Sequence, residues 1–140
     1  MALITIRAGQ AYMVTSPERE AALGELRDSL ATDGVAVNLE IIPYEPGYRG
    51  LPAPPFPEEV AVYIANAVGS GLIDTIVAIA YSKAKQWAKS CYERKRNAAE
   101  SANKNPDHVK GERFIIYGPD GKILKTWTID KNGEHETDDG

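Results

Sequence analysis

Between Val60 and Tyr81 lie 22 residues that carry a single formal charge, Asp74. A run of this length must be hidden from water, either inside a protein core or within a bilayer, which about 20 apolar residues suffice to cross. The basic residues Lys83, Lys85 and Lys89 follow it, as the flank of a membrane span would require. Asn66, the break Gly69-Ser70-Gly71 and the charge of Asp74 oppose a span, because an aspartate at mid-membrane costs roughly 2.5–3.5 kcal/mol on insertion scales. A buried helix or helical hairpin in a core is the expectation, with a membrane-directed segment over 60–81 as the alternative. The composition permits a core: of 140 residues, 43% are apolar and 26% charged, as in ordinary globular domains.

The remaining pattern reads as a single α+β domain over 1–130. Leu3 to Ile6 is a first strand. Ser16-Pro17-Glu18 starts a helix over 17–33, with a serine cap, a proline suited to the first turn and acids at the positive end of the helix dipole. Leu23, Leu26 and Leu30 give that helix its apolar stripe, and Gly34 is its stop. Val35, Val37, Leu39 and Ile41 alternate with polar or small residues, the mark of a strand with one core face. Six prolines between 43 and 57 deny that segment a regular ladder of backbone donors, so it is expected to be an extended crossover. Pro57-Glu58-Glu59 repeats the capping logic of the first helix. A long broken helix is therefore expected over 57–100, kinked at Gly69, Ser70 and Gly71. Ile73, Ile76, Val77, Ala80, Ala84, Trp87 and Cys91 form its buried stripe. Two β-rich runs, Phe114–Tyr117 and Ile123–Ile129, flank Gly118-Pro119-Asp120-Gly121, a strong hairpin signal. Residues 131–140 are polar and acidic and read as a flexible tail. The expected order is β-α-β-α-α-β-β: a mixed sheet with helices packed on one face and a C-terminal β-hairpin.

Little in the chain points to chemistry. One cysteine, Cys91, excludes a disulfide framework and a multi-cysteine metal site, and two histidines, His108 and His135, stand apart. No ligand spacing for a metal and no cofactor fingerprint is present; Gly69-Ser70-Gly71 lacks the glycine–lysine–serine/threonine ending of a phosphate loop. Cys91 as a nucleophile would need a base to hold its thiolate, and His108 lies across a loop. The chain therefore reads as no enzyme, with no catalytic, cofactor or metal residues. What stands out is a basic, aromatic-laced helical run: Lys83, Lys85, Lys89, Arg94, Lys95 and Arg96, with Tyr81, Trp87 and Tyr92 between them. Trp87, Lys89, Tyr92, Arg94, Lys95 and Arg96 are the interaction candidates, for a protein partner or for an anionic membrane surface. Cations at a helix end also suit the dipole without any ligand. The net charge of −4 argues against a general polyanion binder, so nucleic acid is not an expected partner. No secretory signal opens the sequence, and a cytoplasmic location, with membrane association as the alternative, is expected.

The order of these features carries a resemblance. A strand ends in a proline-rich loop; Ala65-Asn66-Ala67-Val68-Gly69-Ser70-Gly71-Leu72 follows, then an apolar helix bearing Trp87, a basic run, and the Gly118-Pro119-Asp120-Gly121-Lys122 hairpin. This layout, over roughly residues 3–129, resembles the effector-associated constant component family of bacterial conflict systems. Here Lys89, rather than the family's arginines, follows the tryptophan. The resemblance implies a small, non-catalytic adaptor or scaffold that works beside a variable effector in a defence system, through protein–protein contact or self-assembly. It carries no enzymatic residues.

Overall fold

The computed structural model describes residues 3–8, 17–31, 35–41, 58–65 and 72–138. Two crossover units make up its body. Strand β1 (Ile4–Ala8), helix α1 (Pro17–Ala31) and strand β2 (Val37–Ile41) form the first; β3 (Glu58–Ile64), α2 (Ile73–Ser101) and β4 (Glu112–Tyr117) form the second. In each unit the two strands run parallel, while β1 and β3 meet antiparallel at the centre. Strands β5 (Ile123–Asp130) and β6 (Gly133–Asp138) continue the sheet antiparallel, giving the order β2-β1-β3-β4-β5-β6. The domain is α+β with a mixed sheet, and its C-terminal strands form hairpins. A 3-10 turn, Pro106–His108, lies between α2 and β4.

The core sits between one sheet face and both helices. Ile4, Ile6 and Ala8 of β1, Val60, Val62 and Ile64 of β3, and Phe114 and Ile116 of β4 are buried toward the helices. Leu23, Leu26 and Leu30 face them from α1, as do Val77, Ala80, Ala84, Trp87, Ala88 and Cys91 from α2. Phe114 stacks on Trp127 with ring centroids 5.6 Å apart and meets Tyr81 edge-on at 5.7 Å. Helix α2 also caps α1. No basic residue stands in the last turn of α1, and Lys83 of α2 donates to the Ser29 carbonyl there at 2.8 Å, placing a cation at the negative end of that helix.

Two expectations are corrected. Residues 58–64 are a central strand, not the opening of a long helix over 57–100. Val60, Val62 and Ile64 alternate with Ala61 and Tyr63, and pairing on both sides satisfies the backbone while the alternate side chains enter the core. The apolar run 60–81 is thus divided between β3 and the first turns of α2, so it is not one apolar helix. Among the described residues, no helix is long and apolar enough to cross a membrane. Residues 133–138 are an edge strand paired with β5, not a flexible tail. Gly133, at φ +105°, makes the tight return from β5, and the Asp130 carboxylate accepts from the Asn132 N–H at 2.8 Å. The proline-rich crossover over 43–57, the stop at Gly34 and the break at Gly69, Ser70 and Gly71 lie outside the described residues.

The Phe114–Tyr117 to Ile123–Ile129 hairpin forms as expected, closed by Gly118 N–H to the Lys122 carbonyl at 2.8 Å. The faces of β4 give the first prediction. Phe114→Ala empties a fully buried site and should cost about 3–5 kcal/mol. Ile115→Ala, on the half-exposed face, should cost less than about half of that. Urea unfolding of both variants checks the ordering, and equal losses would contradict this assignment of faces.

Candidate functional site

The most heavily constrained polar cluster arises from strand register. β3 and β4 pair in parallel with Glu58 opposite Glu112. Two residues before Val60 and Phe114, both carboxylates point to the helix-covered side, where like charges directly opposite repel. The helices bring the answering charges. Arg19, in the first turns of α1, makes a two-pronged contact with Glu112, Nη1 to Oε1 at 2.8 Å and Nη2 to Oε2 at 3.0 Å. Lys95, late in α2, reaches Glu112 at 3.0 Å and Glu58 at 2.9 Å, and Arg19 lies 3.5 Å from Glu58. Two acids and two bases thus close a neutral ring across four elements. Glu112 is fully buried within it. Trp87 is part of the same construction: its indole N–H donates to the Ala22 carbonyl at 2.7 Å, and the Arg19 guanidinium lies over its ring at 5.2 Å.

Burial shapes the titration of these groups. It pushes the Glu112 carboxyl above its usual range, against the pull of Arg19 and Lys95. For Glu58, burial would do the same, but Arg19 and Lys95 outweigh it and hold the carboxyl below its usual range. Burial and the Glu112 charge raise the Cys91 thiol, while Arg19 and Arg94 act the other way without reversing it. Cys91 is buried among the core residues, and its thiol is shifted the opposite way from that of a nucleophilic cysteine. A cleft of about 410 Å³ opens beside the ring, with Glu112, Cys91 and Ala98 among its lining and Arg94 on its wall. Three acids, Glu18, Glu58 and Glu112, and three bases, Arg19, Arg94 and Lys95, line it, so its formal charges sum to zero. Among the described residues, no group of three or more histidine, cysteine or acidic side chains could hold a metal ion.

The residues singled out from the sequence meet different fates. Trp87 and Tyr92 are buried. Lys89 pairs with Glu134 of β6 at 3.4 Å, Arg94 with Glu25 of α1 at 3.1 Å, and Arg96 with Asp107 at 3.2 Å. Lys95 belongs to the buried ring. The basic run is thus spent on tying α2 to its own fold, and it does not form an open cationic face.

The sheet surface opposite the helices holds what sequence reasoning missed. Tyr63 of β3 and Tyr117 of β4 stand opposite one another in register and stack, with centroids 4.7 Å apart and planes inclined by 11°. Both are half-exposed, as are Ala61 and Ile115 beside them. The Arg7 guanidinium lies 5.7 Å from the Tyr63 ring centre and pairs with Glu40 at 3.0 Å. On the other side, Arg113 stands 3.9 Å from Glu59 and donates to the Thr128 hydroxyl at 3.0 Å. Burial, then the neighbouring Tyr63 and Glu59, raise the Tyr117 hydroxyl pKa. The signal for this face was present: Glu59, Ala61 and Tyr63 form the second half of the alternation that marks β3.

Removing one member of the ring should reveal its strength. Arg19→Met leaves Glu112 buried with half its compensation and should cost about 3–5 kcal/mol, whereas Arg94→Ala, in an exposed pair, should cost about 0–1 kcal/mol. Thermal and urea unfolding compare the two. A pH series tests Glu58. Its lowered carboxyl stabilises the fold while ionised; that contribution is complete above the unfolded-state pKa, about 4.3, and is lost as pH falls through the lower folded-state value. The stability gap between wild type and Glu58→Gln should therefore be widest near neutrality and narrow below about pH 4.3; a gap that widens on acidification would contradict the assignment.

Compared with known proteins, the chain matches no family model, no curated protein and no solved structure.

Proposed function

We propose that this protein is a non-catalytic interaction component, an adaptor that binds a protein partner through the sheet face built around Tyr63 and Tyr117. The stacked, half-exposed tyrosine pair carries this reading. Tyrosine and arginine are the residues over-represented where interfaces concentrate their binding energy, and paired rings bring large contact area at little entropic cost. The rim decides the class of partner. Arg7 and Arg113 are each answered by Glu40 and Glu59, so the aromatic centre sits in a charge-balanced frame. A protein surface with an apolar centre and a mixed polar rim is complementary to that arrangement. A nucleic acid would require cations in excess, to neutralise a row of phosphates. The commitment of the basic helix to internal pairs and the raised Cys91 thiol agree with a binding role over lipid-headgroup or covalent chemistry. The resemblance of its element order to the constant components of bacterial conflict systems supports an effector as that partner.

The test is site-specific photo-crosslinking. A photoreactive residue at Thr126, on the tyrosine face, should give a discrete protein adduct in an extract of the source cells. The same group at Gln86, on the exposed side of α2, should not. Tyr117→Ser should abolish the Thr126 adduct in a protein whose melting shows it folded. An adduct of twice the chain mass identifies a second copy as the partner, and any other discrete mass a different protein. Equal labelling from Thr126 and Gln86, or an adduct insensitive to Tyr117→Ser, overturns the proposal.

A further inference from the structure

The last turn of α2 and the segment leading to β4 enclose a groove on the helix side of the sheet. Two adjoining cavities of about 400 and 470 Å³ make it up. Its floor is methyl-rich, from Ala98, Ala99, Ala102 and Val109, and Lys104, His108 and Lys110 stand around it. Glu58 also borders the groove, but its charge is already answered by Arg19 and Lys95.

Lys104 and Lys110 differ from the basic residues that precede them. Every cation of α2 has a partner within the fold: Lys83 bonds the Ser29 carbonyl, Lys85 and Lys89 reach Glu134, Arg94 reaches Glu25, Lys95 joins the ring, and Arg96 meets Asp107. Among the described residues, no carboxylate comes within ion-pair distance of Lys104 or Lys110. Both ammonium groups border one groove, in a chain with four more acids than bases. The backbone that holds them is fixed. Asn103 turns at φ 58°, the Lys104 N–H donates to the Ala99 carbonyl at 2.8 Å, and the Asn105 side chain accepts from the Asp107 N–H at 3.0 Å. Gly111 ends the segment where an added Cβ would collide with the Ile129 carbonyl, so the segment is locked against β5. A ligand meeting these lysines pays little to order the backbone beneath them.

We propose that this groove docks an acidic peptide segment of a partner protein, with an apolar side chain on the alanine floor and carboxylates on Lys104 and Lys110. Charge complementarity selects the acid, and the methyl floor selects a peptide over a bare anion. The groove lies on the opposite side of the sheet from the tyrosine face and is independent of it. A chain with both surfaces can hold two partners at once, which is what an adaptor requires.

Fluorescence anisotropy with a labelled short peptide of alternating leucine and glutamate tests the site on the full chain. The wild type should bind it, and binding should weaken as salt rises. The double variant Lys104→Glu, Lys110→Glu should bind at least about tenfold more weakly, since opposed charges become like charges across the contact. Lys122→Glu, at an exposed hairpin lysine with no ion pair among the described residues, should bind as the wild type does, and so should Tyr117→Ser, which separates this site from the sheet face. Should the double variant unfold, Lys104→Ala, which removes one side chain without adding charge, replaces it and should still weaken binding. No binding by the wild type, equal loss in Lys122→Glu, or competition by inorganic phosphate with no preference for the peptide over a glutamate-only control overturns the proposal.

Discussion

Glu58 and Glu112 stand side by side in register on parallel strands beneath two helices, and the rest of the molecule is arranged to make that tolerable. An unpaired buried carboxylate costs several kcal/mol, and two adjacent ones cannot both stay charged without nearby cations. Arg19 must therefore come from α1 and Lys95 from α2, both to the same end of the sheet. That demand sets the rotation of each helix about its own axis. Once Arg19 is placed, Leu23, Leu26 and Leu30 follow at helical spacing onto the core. Once Lys95 is placed, Cys91, Ala88, Trp87 and Ala84 follow on α2. The Trp87 indole, bonded to the Ala22 carbonyl and covered by Arg19, joins the polar ring to the apolar core.

With both helices on one face, the other face of the sheet carries only strand side chains among the described residues. There the β-strand period gives Arg7, Tyr63, Arg113, Ile115, Tyr117, Thr126 and Thr128 a common surface. Cross-strand pairs supply its order: tyrosine on tyrosine across β3 and β4, arginine against glutamate across β1 and β2 and again across β3 and β4. The functional reading thus rests on a division of labour. The helix side is closed by a neutral charged ring, and the sheet side presents aromatic rings in a balanced polar frame.

The parts of the fold that were legible in the sequence are those decided by neighbours in the chain. The leucine stripe of α1, the alternation of β2, the stripe of α2 from Ile73 to Cys91 and the Gly118–Gly121 turn depend on spacings of two to four residues. Two elements were misread because a local signal competed with a distant one. Pro57-Glu58-Glu59 has the form of a helix start, yet residues 58–64 become a strand because β1 and β4 pair with it on both sides. The acidic end looked like a solvated tail because Glu134, His135, Glu136 and Thr137 show no apolar alternation. The Asn132-Gly133 pair was the available turn signal, and pairing with β5, together with Lys85 and Lys89 reaching Glu134, makes the segment a strand.

The sequence by itself determined the α+β class, the apolar faces of both helices and the basic character of α2, because periodicity and charge are properties of a short stretch of chain. Only the tertiary structure decided what those charges do. Arg19 and Glu112 are 93 positions apart, and Lys95 and Glu58 are 37 apart, so no local pattern could show that Arg19 and Lys95 converge on one buried pair of acids. For the same reason only the assembled sheet stacks Tyr63 on Tyr117. Strand pairing and burial join residues without regard to their distance along the chain, and in this protein the candidate surfaces are made by such pairings.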